Sequence, residues 1–353
     1  MSHRLAETGK PMWCIEFQTG SYGIHHGRPG LLRMVMLASL LQRTQMILGW
    51  TWRSMLGGEE QFYTGMLDHD GEPNVNFEIY RQVASEFKKL ENYGFPYLPT
   101  PRIGVAHSYD ADWAVQYPGN IMFMQSYQDC MREVNKTFFD LNLNFNIVNL
   151  KDVYNRYRIL ILPSHIVMTK EEAAYIRSYV EEGGTVIMTA YSAMLDGNGQ
   201  TFSVTRPGLV DDVFGIRLGG YERDKDGTYT EEIILRGASA FETGENGECL
   251  VSCSRYGLGR AYYCAHAMNH EEMEALLCRI APEAGIAVPD ALPAGVQMRE
   301  IAPGRFFYVN TTDREIPVAL PGTGRFVLQE RDAEGTQTLK PFDADLFVMA
   351  DCH

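Results

Sequence analysis

The chain has 353 residues, 45% of them hydrophobic and 22% charged, enough for two or three domains with buried cores. Its 31 Lys and Arg face 45 Asp and Glu, a formal net charge of −14, and no basic block interrupts that balance. Nucleic-acid and anionic-membrane partners, which need a basic footprint, are thereby excluded.

No apolar run reaches the ~18 residues of a membrane span, and the N-terminus lacks a signal-peptide core, so a cytoplasmic protein is expected. Seven cysteines (Cys14, Cys130, Cys249, Cys253, Cys264, Cys278 and Cys352) form no C-x-x-C pair. In a chain this long they read as reduced, small apolar fillers rather than a disulfide scaffold. A zinc site of Cys249, Cys253, His266 and His270 is conceivable, but the two cysteines sit around a predicted hairpin. No metal and no other cofactor is expected.

The first zone is 1–95. Residues 12–17 read as a buried strand ending at Glu16 and Phe17. A Gly- and His-rich loop over 18–30 follows, and 31–42 carries Leu32, Met36, Leu37, Leu40 and Leu41 at helical spacing. A strand over 46–52, a second loop and a helix over about 76–92 complete two consecutive βα units. Two units can neither close a barrel nor cover a sheet.

The second zone, 100–285, alternates strands at 102–106, 145–148, 157–163 and 185–189 with helices at 126–141 and 169–182. Thr169-Lys-Glu-Glu172 supplies a cap and an acidic first turn, and Gly183-Gly184 stops that helix. The alternation predicts an open, doubly wound, flavodoxin-like sheet. Strand-like pieces fill 233–264, and 271–284 returns to helix. In the third zone, 290–353, short strands at 305–309, 316–320, 324–328 and 345–349 predict a small antiparallel sheet or sandwich.

Two features carry chemistry. Glu16 ends a buried strand, and in a parallel βα barrel the C-terminal strand ends form the active-site mouth. Periodicity by itself also allows a carboxylate on a solvated loop. The second strand runs into Trp50-Thr-Trp52-Arg53 and then Gly58-Glu-Glu60-Gln-Phe-Tyr63. Aromatic rings with a cation and a carboxylate suit sugar recognition, and a core Trp pair beside an acidic loop is the plainer alternative.

Lys10-Pro-Met-Trp-Cys-Ile-Glu16, Pro29-Gly30 with Arg33, Trp50-Thr-Trp-Arg53, Gly58-Glu-Glu-Gln-Phe-Tyr63 and Leu67-Asp-His-Asp-Gly71 together resemble glycoside hydrolase family 42. That family comprises β-galactosidases with a catalytic TIM barrel, a flavodoxin-like trimerisation domain and a small C-terminal β-domain. The resemblance continues through Arg102-Ile-Gly-Val-Ala106, Trp113-Ala-Val-Gln116, Tyr157-Arg-Ile-Leu-Ile-Leu-Pro163, Tyr179-Val-Glu-Glu-Gly-Gly184 and Arg206-Pro-Gly-Leu-Val-Asp211. It implies that 1–95 is the end of a TIM barrel, 100–285 the trimerisation domain and 290–353 the β-domain.

The resemblance further implies Glu16 as nucleophile, Glu60 as a ligand of galactose hydroxyls, Arg53 as the arginine after the last barrel strand, and Trp52 and Tyr63 as sugar contacts. Tyr63 stands where the family has His, and the loop after Glu16 is shorter and lacks an Asn-Trp pair, which leaves the preferred glycoside open. Retaining glycosidases need a second carboxyl about 5–5.5 Å from the nucleophile. The family carries it after an Asn on the fourth barrel strand, and only 15 residues precede Glu16. Asn246-Gly-Glu248 and Asn269-His-Glu271 fall in the wrong domain.

The expectation is therefore the C-terminal part of a retaining β-galactosidase-type hydrolase, inactive by itself. It would form a homotrimer, act on a glycoside, and take a separately encoded N-terminal barrel half as a partner. The alternative is a non-catalytic assembly or carbohydrate-binding module. An amidotransferase reading fails because strand 185–189 leads into Ala190-Tyr-Ser-Ala-Met194 without a Cys. An FMN reading fails because His107-Ser-Tyr-Asp-Ala-Asp112 is acidic where phosphate would bind.

Overall fold

The computed structural model describes residues 10–19, 30–95, 99–117, 126–150, 157–223 and 229–350; most of the 18–30 loop lies outside them. The described residues up to Thr100, with those from Asp290 onward, form one unit, and Pro101–Pro289 a second.

In the first unit, β1 (Met12–Gln18) and β2 (Thr44–Trp50) pair in parallel, from Met12 opposite Thr44 to Gln18 opposite Trp50. Parallel neighbours need a crossover, which includes α1 (Leu31–Ser39) and a 3-10 turn over Leu40–Gln42. The single helix expected over 31–42 thus tightens in its last three residues. Helix α2 (Val75–Glu91) starts from Asn74, whose side chain accepts the Asn76 N–H.

Strand side chains alternate between faces. Phe17 and Ile47 pack on Leu32, Met36, Ile79, Tyr80 and Val83 of the two helices. Gly49 makes that approach possible, because a Cβ there would lie 2.7 Å from the Tyr80 hydroxyl and from Met66 Cε. The other face presents Trp13, Ile15, Met46, Leu48 and Trp50 to solvent. This is a stretch of barrel wall, helices outside and its interior face uncovered.

The second unit is built on parallel strands β3 (Ile103–Ala106), β4 (Asn146–Val148), β5 (Ile159–Leu162) and β6 (Thr185–Met188), with helices α3 (Tyr109–Gln116), α4 (Tyr127–Asp140), α5 (Lys170–Glu181) and α6 (Asp211–Phe214) between or after them. β7 (Ile216–Arg223) and β8 (Tyr229–Leu235) form a separate antiparallel ribbon. β9 (Ser239–Thr243), β10 (Cys249–Tyr256) and β11 (Gly259–Cys264) complete a seven-stranded sheet in the order β4-β3-β5-β6-β11-β10-β9, and α7 (His270–Glu283) follows. Its first five strands have the 2-1-3-4-5 order of flavodoxin-like folds. The pairing of Leu160 with Val186 and Leu162 with Met188 is parallel, as predicted.

The four-residue runs of β5 and β6 are buried throughout and, Thr185 apart, apolar, because both faces are covered. Ile159, Ile161 and Ile187 face a core with α4 and α7, while Leu160, Leu162, Val186 and Met188 face one with α5 and α6. Cys249 and Cys253, expected around a hairpin, lie on one strand, β10. The described cysteines are free thiols.

Helix α5 opens with the predicted capping box. Thr169 accepts the Glu172 N–H, and Glu172 accepts the Thr169 N–H at 2.8 Å. Burial works against the Glu172 charge, but His165 at 3.7 Å and the Thr169 donors outweigh it and hold its pKa at about 2. A lowered folded-state pKa means stability present above the unfolded value, near 4.5, and lost as pH falls toward 2. Glu172→Gln is therefore expected to cost about 1.5–3 kcal/mol at pH 7, as for hydrogen bonds to a charged group. Urea titrations of variant and parent should draw together below pH 4.5 and converge only below about pH 2; a pH-independent difference would refute the coupling.

The chain then returns to the first unit. β12 (Val296–Ala302), β13 (Arg305–Asn310), β15 (Gly324–Phe326), β16 (Arg331–Ala333) and β18 (Ala344–Met349) form an antiparallel sheet, while β14 (Ile316–Ala319) and β17 (Thr336–Leu339) pair separately. Period-2 alternation splits its side chains. Phe307, Val309, Leu346 and Val348 pack with Met34, Leu37, Leu41 and Leu90 of the helical layer, and Tyr308 and Phe347 with Ile316, Val318 and Leu339.

Candidate active site

The register of β1 slips between Cys14 and Phe17, which lie opposite Ile47 and Gly49. Three β1 steps against two on β2 make a bulge at Ile15 and Glu16, and both side chains are exposed. Bulges at barrel rims re-aim side chains. Here the bulge frees Glu16 from the face that packs on α1 and α2. Glu16 stands two residues before the strand's C-terminal end.

The same edge of β2 carries Trp50. Its indole N–H donates to Glu60 Oε2 at 3.0 Å, so the second candidate carboxylate fixes a ring at the strand end. Just past β1, buried Thr19 donates its N–H and hydroxyl to the Trp50 carbonyl at 2.9 and 2.8 Å. The ends of the two strands are thereby tied together.

The loop carrying Glu60 is pinned by buried polar groups. Ser54 donates to the Leu67 carbonyl and accepts the Gly65 N–H, both at 3.0 Å, and Asn74 and Asn76 donate to the Gly65 carbonyl. Tyr63 is half-buried, and its N–H donates to the Glu60 carbonyl at 2.9 Å. Arg53 and Trp52 have other partners, one in the loop and one on α2. Arg53 donates to the His69 carbonyl at 2.7 Å, and the exposed Trp52 ring meets Phe77 edge-on at 6.0 Å. The structure thus brings Glu60 to Trp50, a partnership ten residues apart that no local pattern announces. The anchors Thr19 and Ser54 were likewise missed; among the loop's anchors, Asn74 had a signal in the sequence, as a helix cap.

In the second unit, ligands of a doubly wound sheet would sit beyond the C-terminal ends of β3 and β5, where the strand order reverses. That place is filled by buried side chains of the chain itself. Tyr127 Oη accepts the Ser108 N–H at 2.9 Å, Cys130 Sγ lies 3.6 Å from Ser164 Oγ, and Thr189 Oγ1 accepts the Ser164 N–H at 2.8 Å. A cleft of about 480 Å³ lined by Arg102, Arg158, Tyr179 and Glu182 lies at the opposite edge, where the strands begin. Among the described residues, no group of three His, Cys, Asp or Glu is placed to hold a metal ion, and no helix is long and apolar enough to cross a membrane.

A parallel βα wall with an exposed carboxylate at its strand ends, joined to a flavodoxin-like sheet and an antiparallel β-layer, defines a multidomain α/β protein of glycosidase architecture. The chain belongs to glycoside hydrolase family 42. The family model described as the β-galactosidase trimerisation domain matches residues 102–287, and the one described as β-galactosidase matches 1–90. β-Galactosidase LacZ of Heyndrickxia coagulans is 25% identical over 342 residues, 90% of this chain and 51% of that protein. β-Galactosidase Pbg of Clostridium perfringens is 22% identical over 380 residues, 94% and 54% respectively.

Among solved structures, the β-galactosidase of Bacillus circulans sp. alkalophilus superposes with a TM-score of 0.86 at 16% identity, over 97% of this chain and 56% of that one. The β-galactosidase of Rahnella sp. R3 gives 0.81 at 19% identity, over 97% and 55%. The chain spans about half the length of the curated relatives it matches, and corresponds to their C-terminal half.

Proposed function

We propose that this chain is the C-terminal part of a retaining β-galactosidase-type glycoside hydrolase, with Glu16 as nucleophile and Glu60, Tyr63, Trp52 and Arg53 as sugar contacts. One observation carries this reading: the β1 bulge exposes Glu16 at the strand edge where Glu60 holds Trp50, beside an uncovered apolar barrel wall. In a βα barrel that edge holds the chemistry. Glu16 attacks the anomeric carbon, the glycosidic bond breaks, and water later releases the sugar from the covalent ester. The leaving oxygen takes its proton from a second carboxyl about 5–5.5 Å away. Two strands do not enclose a sugar, so the acid and most of the pocket come from barrel strands beyond the two carried here. The chain assembles as a homotrimer, a reading supported by the family description of 102–287.

Complementation tests this. The chain by itself is expected to leave a nitrophenyl β-galactoside intact, and mixing it with a separately expressed upstream barrel half is expected to start turnover. Hydrolysis by the chain alone at the rate of the mixture would overturn the division of roles. Inactivity of every mixture would favour a non-catalytic assembly or carbohydrate-binding module.

A further inference from the structure

Helix α3 and its C-cap carry Tyr109, Trp113 and Tyr117 at four-residue steps, and each is about two-thirds exposed, at 67%, 64% and 65%. The inward side of the helix is served by other residues. Ala111 is fully buried, and Asp112 accepts from Gln116 and Gln128 at 3.0 and 2.8 Å. The three rings do not fill the unit's own core. Tyr109 also lies edge-on to His107 at 4.9 Å and beside Trp113 at 6.0 Å, so the rings form a strip. Single exposed apolar side chains are ordinary, but a contiguous strip marks a contact surface, and Trp and Tyr dominate the binding energy of protein interfaces.

We infer that the α3 strip is the surface through which one copy of this chain contacts another. The occupant follows from place, since α3 lies within the 102–287 region matched by the trimerisation-domain model, and the inference rests on the assembly reading above. Charge agrees with an aromatic contact. Two copies at −14 each repel at long range, so ring burial rather than ion pairing must hold them, and added salt should strengthen the contact by screening.

Trp113 gives a local readout, because the other three tryptophans, Trp13, Trp50 and Trp52, all lie within 1–95. The full chain is weighed by light scattering across a dilution series, and oxidation of Trp113 by hydroxyl radicals is followed by mass spectrometry at each concentration. A trimer in which Trp113 is protected, and a Trp113→Ser variant whose assembly midpoint moves at least about tenfold upward with an unchanged circular dichroism melt, are expected. If Trp113 oxidises equally in dilute and assembled protein, or Trp113→Ser assembles like the parent, the α3 assignment is wrong while the assembly reading stands. If Ile15→Asp disperses the oligomer and Trp113→Ser does not, the barrel face is the contact and α3 is again excluded. A parent chain monomeric at every concentration defeats both readings.

Discussion

Glu16→Gln, in a chain complemented with the remaining barrel strands, is expected to lower galactoside hydrolysis by at least about 10³-fold, since no other group can take over covalent attack. The amide keeps the size of the carboxylate on an exposed bulge, so folding and assembly should be untouched. The loss belongs in kcat and kcat/KM together, because the missing bond forms only along the reaction path. Glu16→Ala leaves room for azide, which attacks the anomeric carbon in place of the carboxylate and yields a glycosyl azide of inverted configuration. Glu60→Gln should act differently. It weakens the acceptor that holds the Trp50 indole, so the larger change belongs in KM. If Glu16→Gln leaves the restored rate unchanged, the nucleophile lies elsewhere.

Much of the fold was legible because local signals and tertiary need coincide. The runs of β5 and β6 are bounded by Gly and Pro and buried on both faces, and Thr169 with Glu172 makes the box its spacing announces. Helix α3 escaped notice because its aromatic stripe faces solvent, so apolar periodicity does not mark a core face. β12 escaped because Gln297 and Arg299 are buried in a strand that reads as mixed and polar.

The candidate site divides in the same way. Glu16 announced itself as an acid closing an apolar run, but the bulge that exposes it depends on pairing with β2. Glu231 shows the opposite failure. It lies just before the strand-like pieces read over 233–264, one of two adjacent acidic residues, yet it is buried, accepts from Tyr263 Oη at 2.6 Å and faces Arg206 at 3.5 Å, and burial pushes its pKa up. Contacts between residues distant in sequence have no local signature.

The ion cluster at Arg33 is the longest-range case, and it underlies the largest stability effect expected here. Arg33, on α1, donates from Nε to both Glu86 oxygens at 2.9 Å, from Nη1 to Asp343 Oδ1 at 2.9 Å and from Nη2 to the Ala344 carbonyl at 3.1 Å. Its partners lie 53 and more than 300 residues away, on α2 and at the entry to β18. All three side chains are largely buried. Arg33→Met fills the space but leaves two carboxylates buried and close, Glu86 with Gln82 as its remaining donor and Asp343 with Gln329 and the Ala344 N–H. The expected cost is about 3–5 kcal/mol, the penalty for stranding one side of a buried ion pair. Arg33→Lys should fall between, because an ammonium cannot reproduce the fork. Adding Glu86→Leu to Arg33→Met should recover part of the loss by removing one stranded charge, the non-additivity of groups that share a network. Urea unfolding followed by tryptophan emission reads this unit, which holds three of the four tryptophans. The same helices support the face of β1 opposite the uncovered wall, so loosening them should also raise the amide exchange of β1 and β2. A loss below about 1 kcal/mol, the range of exposed pairs, would show that the cluster is solvated and that apolar packing holds the helices to the β-layer.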